Sequence, residues 1–212
     1  MDQFILCLEL SGTCAFAISG AVLGIIKQLD IFGVIFCGVI TSLGGGVIRD
    51  MMLGSLPPAM FRNDIYAIIA VTCSVIVFII AKSRKNSFEK DAQRLDSLIN
   101  IFDAMGLGVF TIIGINTAIS AGYSSNAFLS IFLGVTTGCG GGILRDIVVR
   151  EIPMVFTKRI YAVASLVGGM TYYYLYIALN LPKSFCAVFG IILIFVLRIC
   201  SAVFRWNLPK AY

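Results

Sequence analysis

The sequence has no histidine and few charged residues, and these absences exclude much of enzymology. Charged residues make up 13% of the 212 residues and hydrophobic residues 59%, whereas soluble domains average about 25% and about 45–50%. Without histidine there is no Ser-His-Asp triad, no imidazole metal ligand and no imidazole proton relay. The seven cysteines occur singly, in an odd number and without Cys-x-x-Cys spacing, which favours neither disulfides nor zinc. We therefore expect no enzymatic activity, no metal and no cofactor.

Long hydrophobic runs dominate what remains, and a mean hydropathy of +0.98 indicates a membrane protein. A bilayer core about 30 Å thick needs roughly 20 helical residues. The charge-free run 104–144 has 41 residues, about 60 Å of helix, and therefore predicts two spans joined by a turn at 120–126. We expect an all-α integral membrane protein with seven transmembrane helices. The apolar runs that each predict one further span are 4–26, 31–48, 65–81, 160–182 and 184–204.

Lysine and arginine are distributed unevenly between the two sides of the predicted spans. Eleven lie in the loops after the first, third and fifth spans and in the C-terminal tail, against two on the opposite side. Because basic loops stay in the cytoplasm, we expect a multi-pass protein of the inner (plasma) membrane, with its N-terminus outside and its C-terminus in the cytoplasm. The net charge of +5 attracts anionic membrane lipids, and such scattered basic residues do not indicate nucleic-acid binding. The eleven are Lys27, Lys82, Arg84, Lys85, Lys90, Arg94, Arg150, Lys158, Arg159, Arg205 and Lys210, and the two are Arg62 and Lys183.

The two halves of the chain repeat each other at an offset of 96 residues. Residues 35–50 align without a gap on residues 131–146, and ten of the sixteen positions are identical, including Gly-Gly-Gly and the Arg-Asp pair that follows it. With three spans in each half, the second half enters the membrane from the opposite side, so we expect an inverted repeat of the kind found in secondary transporters. The predicted divisions are a first repeat at 1–81, a cytoplasmic linker at 82–97, an inverted second repeat at 98–182, and a seventh helix with a cytoplasmic tail at 183–212.

A glycine triplet lies just past the middle of the second span and of the fifth. Each glycine costs about 1 kcal/mol relative to alanine in a helix, so a triplet predicts a break or kink whose freed carbonyl groups line a water-filled path. The alternative is close helix packing through small residues, which the four-residue spacing of other glycines also favours. The candidate pore and kink residues are Gly44, Gly45, Gly46, Gly140, Gly141 and Gly142.

An Arg-Asp pair follows each triplet at a distance of about one helical turn. Charges near the hydrocarbon need a partner or water, and two interpretations stay open. The pairs either set the field in a pore and act in its gate, or they clamp the structure by pairing with carboxylates and carbonyl groups. Glu9 and Asp103, near the starts of the first and fourth spans, are candidate cation attractors, although a helix N-terminus also favours a carboxylate there. The pore-adjacent charges are Arg49, Asp50, Arg145 and Asp146.

These features together resemble the prokaryotic branch of the TRIC (trimeric intracellular cation) channel family, whose bacterial members are often named glycine transporter domain proteins. The resemblance rests on two copies of Gly-Gly-Gly-x-x-Arg-Asp and covers nearly the whole chain. It implies a homotrimer in which each protomer has its own hourglass pore, lined by the first, second, fourth and fifth helices and narrowed at the glycine triplets. It also implies conduction of monovalent cations, chiefly potassium. The lysine-containing pore motif of the animal channels is missing, so the resemblance does not extend to their regulation by voltage and calcium.

Two functions therefore compete. One is a potassium-permeable channel, in which ions pass a hydrated pore without an obligatory conformational cycle. The other is a secondary transporter of a small zwitterion such as glycine, in which half-helix N-termini hold the substrate carboxylate. Both need inverted repeats and broken helices, and the scarcity of carboxylates inside the spans only mildly disfavours proton coupling.

The inverted repeat makes a prediction about sidedness. Single cysteines at Asn63 or Asp64 and at Thr157 or Lys158, in a background without native cysteines, should react with a membrane-impermeant thiol reagent from opposite sides of the membrane. The physical reason is that three predicted spans separate the two loops. Labelling of both loops from the same side would contradict the inversion.

Overall fold

Short connections join long apolar helices into a bundle. The computed structural model describes residues 3–83, 92–157, 160–204 and 206, and the regular elements within those ranges are all helical. In chain order they are α1 (Gln3–Ile26), α2 (Ile31–Met52), α3 (Ala59–Arg62), α4 (Ile65–Ser83), α5 (Ala92–Ala118) with a π-helical turn (Ile119–Tyr123), α6 (Ala127–Val148), α7 (Met154–Thr157), α8 (Ala162–Ile177) and α9 (Lys183–Val203). The helices α3 and α7 are single turns, and they occupy corresponding positions in the two halves.

Six of the described helices are long and apolar enough to cross a membrane, namely α1, α2, α4, α5 with its π turn, α6 and α9. Helix α8 has 16 residues, fewer than the roughly 20 that a perpendicular span needs. The sixth predicted span, 160–182, is therefore longer than the helix that forms there. Its C-terminal end follows from Asn180, whose φ of 53° lies in the left-handed region, where a helix stops.

The outer surface of the bundle is apolar. Phe32 and Phe36 on α2 are exposed, and so are Phe128 and Phe132, which stand 96 residues later on α6. Each pair stacks along its own helix, with ring centroids 6.3 Å and 6.0 Å apart. Large exposed apolar side chains in this number mark a surface that water does not cover in the native state, which agrees with a membrane location.

Four helices form a closed ring at the centre of the bundle. Helix α1 packs against α2 and α5, and α6 packs against the same two helices, whereas the diagonal pairs α1–α6 and α2–α5 barely touch. Helix α4 covers α1 and α2, while α8 and α9 cover α5 and α6. The ring thus has two helices from each half of the chain around one axis.

The glycine triplets do not break their helices, so the predicted break is not found, whereas a kink within the continuous helices stays a prediction. Helices α2 and α6 run without interruption through both triplets, and the contacts there match the packing alternative. A Cβ atom built on Gly45 would overlap the carbonyl oxygen of Thr137, and one on Gly141 would overlap the carbonyl oxygen of Thr41. Each helix uses its glycine to bring the backbone of the other into contact. Tertiary packing and the continuous helical hydrogen bonds outweigh the low helix propensity of glycine.

The turn predicted at 120–126 is confirmed. The π-helical turn includes Gly122, whose φ of 94° lies in the left-handed region. Asn126 caps α6 by accepting a hydrogen bond from the Leu129 amide at 3.0 Å. The predicted linker 82–97 is described only at its ends, which belong to α4 and α5. Residues 84–91, Lys158, Arg159 and most of the predicted tail lie outside the described residues, so the proposed domain divisions stay predictions.

Alanine at Gly45 or Gly141 should destabilise the protein, because the added methyl group would overlap a backbone carbonyl group that cannot turn away. Overpacking of this kind costs about 1–3 kcal/mol, which should lower the thermal unfolding temperature of the purified protein in detergent. Gly46→Ala is the matched control, since its Cβ atom would have only the end of the Arg49 side chain nearby, at 3.8 Å. We expect the control to unfold at the wild-type temperature or above it. The same unfolding temperature for all three variants would contradict the close contact between the backbones of α2 and α6.

Candidate functional site

The two Arg-Asp pairs lie at opposite ends of the four-helix ring. Each pair is in the last turns of its helix, α2 or α6, and helix α1 connects their surroundings. Glu9 of α1 lines a cavity beside Arg49, and Leu23 of α1 lines a cavity beside Asp146. Fourteen residues of helix separate Glu9 from Leu23, about 21 Å at 1.5 Å per residue. We call these two regions the Arg49 end and the Arg145 end.

At the Arg49 end, one carboxylate joins the arginine to the following short helix. The Arg49 guanidinium donates to Asp50 Oδ1 from Nε at 2.8 Å, and Nη2 lies 2.7 Å from the same oxygen. The other oxygen, Oδ2, accepts a hydrogen bond from the Ala59 amide at 2.8 Å, at the first residue of α3. The carboxylate is therefore both the counter-ion of Arg49 and the N-terminal cap of α3. This arrangement matches the structural clamp that the sequence left open as one interpretation.

A cavity of about 50 Å³ opens beside this pair. Tyr66 of α4 donates a hydrogen bond from its hydroxyl group to Glu9 Oε2 at 2.5 Å, which holds the carboxylate at the cavity wall. Hydroxyl groups of Thr13 and Ser42 and the Arg49–Asp50 pair complete the polar lining, and Phe110 contributes an apolar wall. A carboxylate and a guanidinium from different helices thus face the same small space.

At the Arg145 end, the arginine is fully buried and bridges three helices. Its Nε donates to Asp146 Oδ1 at 2.9 Å, and its Nη1 lies 2.9 Å from both Asp103 Oδ1 on α5 and Ser19 Oγ on α1. Asp146 Oδ2 accepts a hydrogen bond from the Met154 amide at 2.8 Å, at the first residue of α7. The clamp of the Arg49 end is therefore repeated here, with Asp103 as an additional carboxylate.

A second buried arginine approaches the same group from α9. Arg198 Nη2 lies 4.0 Å from Asp103 Oδ2, and the Arg198 guanidinium carbon lies 4.4 Å from the centre of the Tyr161 ring. With Arg145 and Asp146, the group contains two positive and two negative charges. Formal neutrality reduces the cost of burying these charges in the membrane.

The Arg145 end also has a cavity, of about 240 Å³. Its charged lining is mostly acidic, with Asp96, Asp146 and Glu151 against Lys27. Lys27 Nζ, in the loop after α1, forms an ion pair with Glu151 Oε1 in the loop after α6. These two loops therefore meet on the same side of the ring, at the mouth of the larger cavity.

Between the two cavities, aromatic side chains pack against each other beside α1. Phe16 of α1 is 1% exposed and stacks on Phe110 of α5, with ring centroids 5.3 Å apart. Glu9, Phe16 and Leu23 follow at seven-residue spacing and so lie on one face of α1. Ser19, one turn beyond Phe16, holds Arg145. Two cavities with charged residues in their lining are thus separated by an aromatic stack and a buried arginine.

The predicted site residues lie in three places: the Arg49 end, the Arg145 end, and the contact between α2 and α6 at the glycine triplets. Glu9 shares a cavity with Arg49, and Asp103 binds Arg145. Sequence reasoning missed the roles of Ser19, Tyr66, Tyr161 and Arg198. Only Arg198 carried a visible signal, as the one charge within the last apolar run; the other three are ordinary residues of apolar helices.

Arg145 should be far more important for stability than Arg49. Arg145→Met would leave Asp103 buried without its closest counter-ion, a loss that costs about 3–5 kcal/mol for buried pairs. Arg49→Met should cost less, because Asp50 keeps the Ala59 amide and the site borders a cavity. Thermal unfolding of the purified variants in detergent measures the difference, and Arg145→Met combined with Asp103→Asn should recover part of the loss. Equal destabilisation by the two arginine variants would contradict this arrangement.

The sequence matches a known family in both halves. The family described as glycine transporter matches residues 6–82 and again residues 100–176. The UPF0126 inner membrane protein YadS of Escherichia coli K12 is 34% identical over 202 residues, which are 95% of this chain and 92% of that protein.

Solved structures of cation channels share the fold. A prokaryotic TRIC channel whose crystal structure was determined in 0.5 M KCl is 38% identical, with a TM-score of 0.85 over 98% of this chain and 100% of that chain. The TRIC trimeric intracellular cation channel orthologue from Rhodobacter sphaeroides is 28% identical, with a TM-score of 0.85 over 95% of this chain and 98% of that chain. Agreement of this extent in sequence and fold identifies the chain as a multi-pass membrane protein of the prokaryotic TRIC family.

Proposed function

We propose that this protein is a potassium-permeable monovalent cation channel with one pore in each protomer of a homotrimer. The pore follows the axis of the ring formed by α1, α2, α5 and α6. The observation that carries the proposal is the row formed by Glu9, Phe16 and Leu23 on one face of α1. This row runs from the cavity at the Arg49 end to the cavity at the Arg145 end. Similarity to solved TRIC cation channels, one of them described as trimeric, supports the same function and assembly.

The charges at the two mouths favour cations. Glu9 faces the smaller cavity, and Asp96 and Glu151 face the larger one, so a cation gains attraction before it enters the narrow region. The arginine in each copy of the repeated motif is neutralised by the aspartate that follows it, which limits the barrier that a fixed positive charge would otherwise raise. Hydroxyl groups of Thr13 and Ser42 offer oxygen atoms that replace part of the hydration shell of an ion.

The conformation described here is a closed channel under this proposal. The stacked rings of Phe16 and Phe110 form an apolar constriction, and narrow apolar constrictions exclude ions by excluding water. Arg145 adds a positive charge to the path one turn further along α1. Opening therefore requires separation of the two rings and displacement of Arg145 from Ser19.

We also propose seven spans in two inverted repeats, with the N-terminus outside and the C-terminus in the cytoplasm. The two separate family matches, the corresponding clamps on α3 and α7, and the placement of these clamps at opposite ends of the ring support the inversion. The loops after α1 and α6 contact each other, which supports their location on the same side of the membrane. Their basic residues favour the cytoplasmic side. Helix α8 then crosses as a short span.

A secondary transporter of a small zwitterion such as glycine is the second candidate. The specific observation in its favour is the cavity that places the Glu9 carboxylate and the Arg49 guanidinium on one small space. These groups suit the ammonium and carboxylate groups of an amino acid. Two cavities separated by a closed centre also suit alternating access.

Planar-bilayer recording of the purified protein in asymmetric KCl tests the proposal, and we expect unitary cation currents. Glu9→Gln should lower the unitary conductance by roughly twofold or more, because it removes a charge that concentrates cations at the mouth. The difference should be large near 0.1 M KCl and vanish toward 1 M, where the Debye length falls to about 3 Å. Glu9→Asp, which keeps the charge, is the control. Electrical silence together with saturable glycine uptake into proteoliposomes would instead establish the transporter.

A further inference from the structure

Arg198 is a buried charge that the pore itself does not require. It lies on α9, outside the four-helix ring, and is 3% exposed. Its guanidinium group faces Asp103, with Nη2 4.0 Å from Oδ2, and lies against the ring of Tyr161. Asp103 in turn belongs to the ring and binds Arg145 through Oδ1 at 2.9 Å. One carboxylate therefore stands between two arginines from different helices.

The two arginines share the available carboxylates unequally. Arg145 holds both Asp146 and Asp103 at 2.9 Å, whereas Arg198 reaches a carboxylate only at 4.0 Å. Among the described residues, Arg198 Nε and Asp103 Oδ2 have no hydrogen-bond partner although both are buried. Buried polar atoms without partners are unfavourable. A small rotation of the Asp103 side chain toward Arg198 would give both atoms a hydrogen-bond partner, and this gain favours the rotation.

Both additional charges are absent from the first half of the repeat. Cys7 stands 96 residues before Asp103, and α9 follows the second half as an unpaired helix. Within the described residues, the Arg49 end has the same Arg-Asp clamp but no second arginine close to a carboxylate. The clamp alone is thus sufficient to cap the short helix, and the opposite charges at 103 and 198 are an addition at one end of the pore.

We propose that Arg198 is a positioning residue that competes with Arg145 for Asp103 and so sets the balance between the closed and open channel. The proposal rests on the channel function proposed above. In the closed state Asp103 binds Arg145 and ties α5 to α6. When Asp103 turns to Arg198, each arginine keeps one carboxylate, Arg145 with Asp146 and Arg198 with Asp103. Arg145 then loses its link to α5, which leaves it freer for the displacement from Ser19 that opening requires.

Arg198 is well held for this role. The cation–π contact with Tyr161 holds the guanidinium group in place. A carboxylate that rotates between two arginines has two discrete positions, the kind of element on which a switch depends. Helix α9 thereby acts on the pore without lining it.

The test compares single-channel recordings of Arg198→Met and Arg198→Lys with wild type. We expect Arg198→Met to lower the ratio of open to closed time by roughly tenfold, within the usual range of coupling between sites, with the unitary conductance unchanged. Arg198→Lys keeps the positive charge and should restore most of the open time. Val196→Met, at an exposed position of the same helix, is the matched control and should behave as wild type. Arg198→Gln is recorded alongside, so that a folding defect in the methionine variant, seen by size-exclusion chromatography, leaves the comparison intact.

Asp103→Asn shows whether Arg198 acts through that carboxylate. In the Asp103→Asn background, Arg198→Met should have no further effect on the open-to-closed ratio. An unchanged ratio in both Arg198→Met and Arg198→Gln, an undiminished effect of Arg198→Met in the Asp103→Asn background, or a change confined to the unitary conductance would each overturn the role of Arg198. Absence of unitary currents in the wild type would instead overturn the proposed channel function on which this role rests.

Discussion

The close crossing of α2 and α6 is the constraint on which the rest of this molecule depends. At Gly45 and Gly141 each helix meets the backbone of the other, with no side chain between them. The contact is reciprocal, because the partners Thr41 and Thr137 also stand 96 residues apart. Two helices pinned at these points have little freedom to slide or rotate. Their C-terminal ends, and the Arg-Asp pairs that these ends carry, are therefore fixed at opposite ends of the ring.

The charges of the two Arg-Asp pairs are buried at a tolerable cost because Arg49 and Arg145 each meet a counter-ion on their own helix. Asp50 and Asp146 then use their second oxygen to cap the short helix that follows, so the clamp also decides where the chain turns back. This frees the remaining polar groups to line the cavities. Glu9 at one end is held by Tyr66, and Glu151 at the other end is held by Lys27.

The sequence predicts local features well and contacts between helices poorly. Apolar runs and charges located most of the spans, and the turn at 120–126 followed from a cluster of small polar residues inside a run too long for one helix. The repeat showed that the two triplets are equivalent. A helix break at the triplets was expected and is not found, because the helix propensity of glycine is a local quantity, whereas the contact of Gly45 with Thr137 depends on how two distant segments pack.

For the site residues too, the sequence predicts which residues are unusual but not which residues they contact. Arg49, Arg145, Glu9 and Asp103 were conspicuous because charge is rare in this chain. Which carboxylate meets which arginine depended on the arrangement of helices, since Asp103 and Arg145 are 42 residues apart. Ser19 and Tyr66 carry no signal in a single sequence, because serine and tyrosine are common in apolar helices and their roles arise only from the side chains that they meet.

The proposed channel requires ions to pass through the four-helix ring within each protomer. Crystals grown with rubidium in place of potassium test this route directly, because anomalous scattering locates the ion. We expect rubidium peaks inside each protomer, in the cavity beside Glu9 and Ser42 and in the cavity beside Asp96 and Glu151, on either side of the stacked rings of Phe16 and Phe110. Rubidium found only between protomers, with neither cavity occupied, would contradict it.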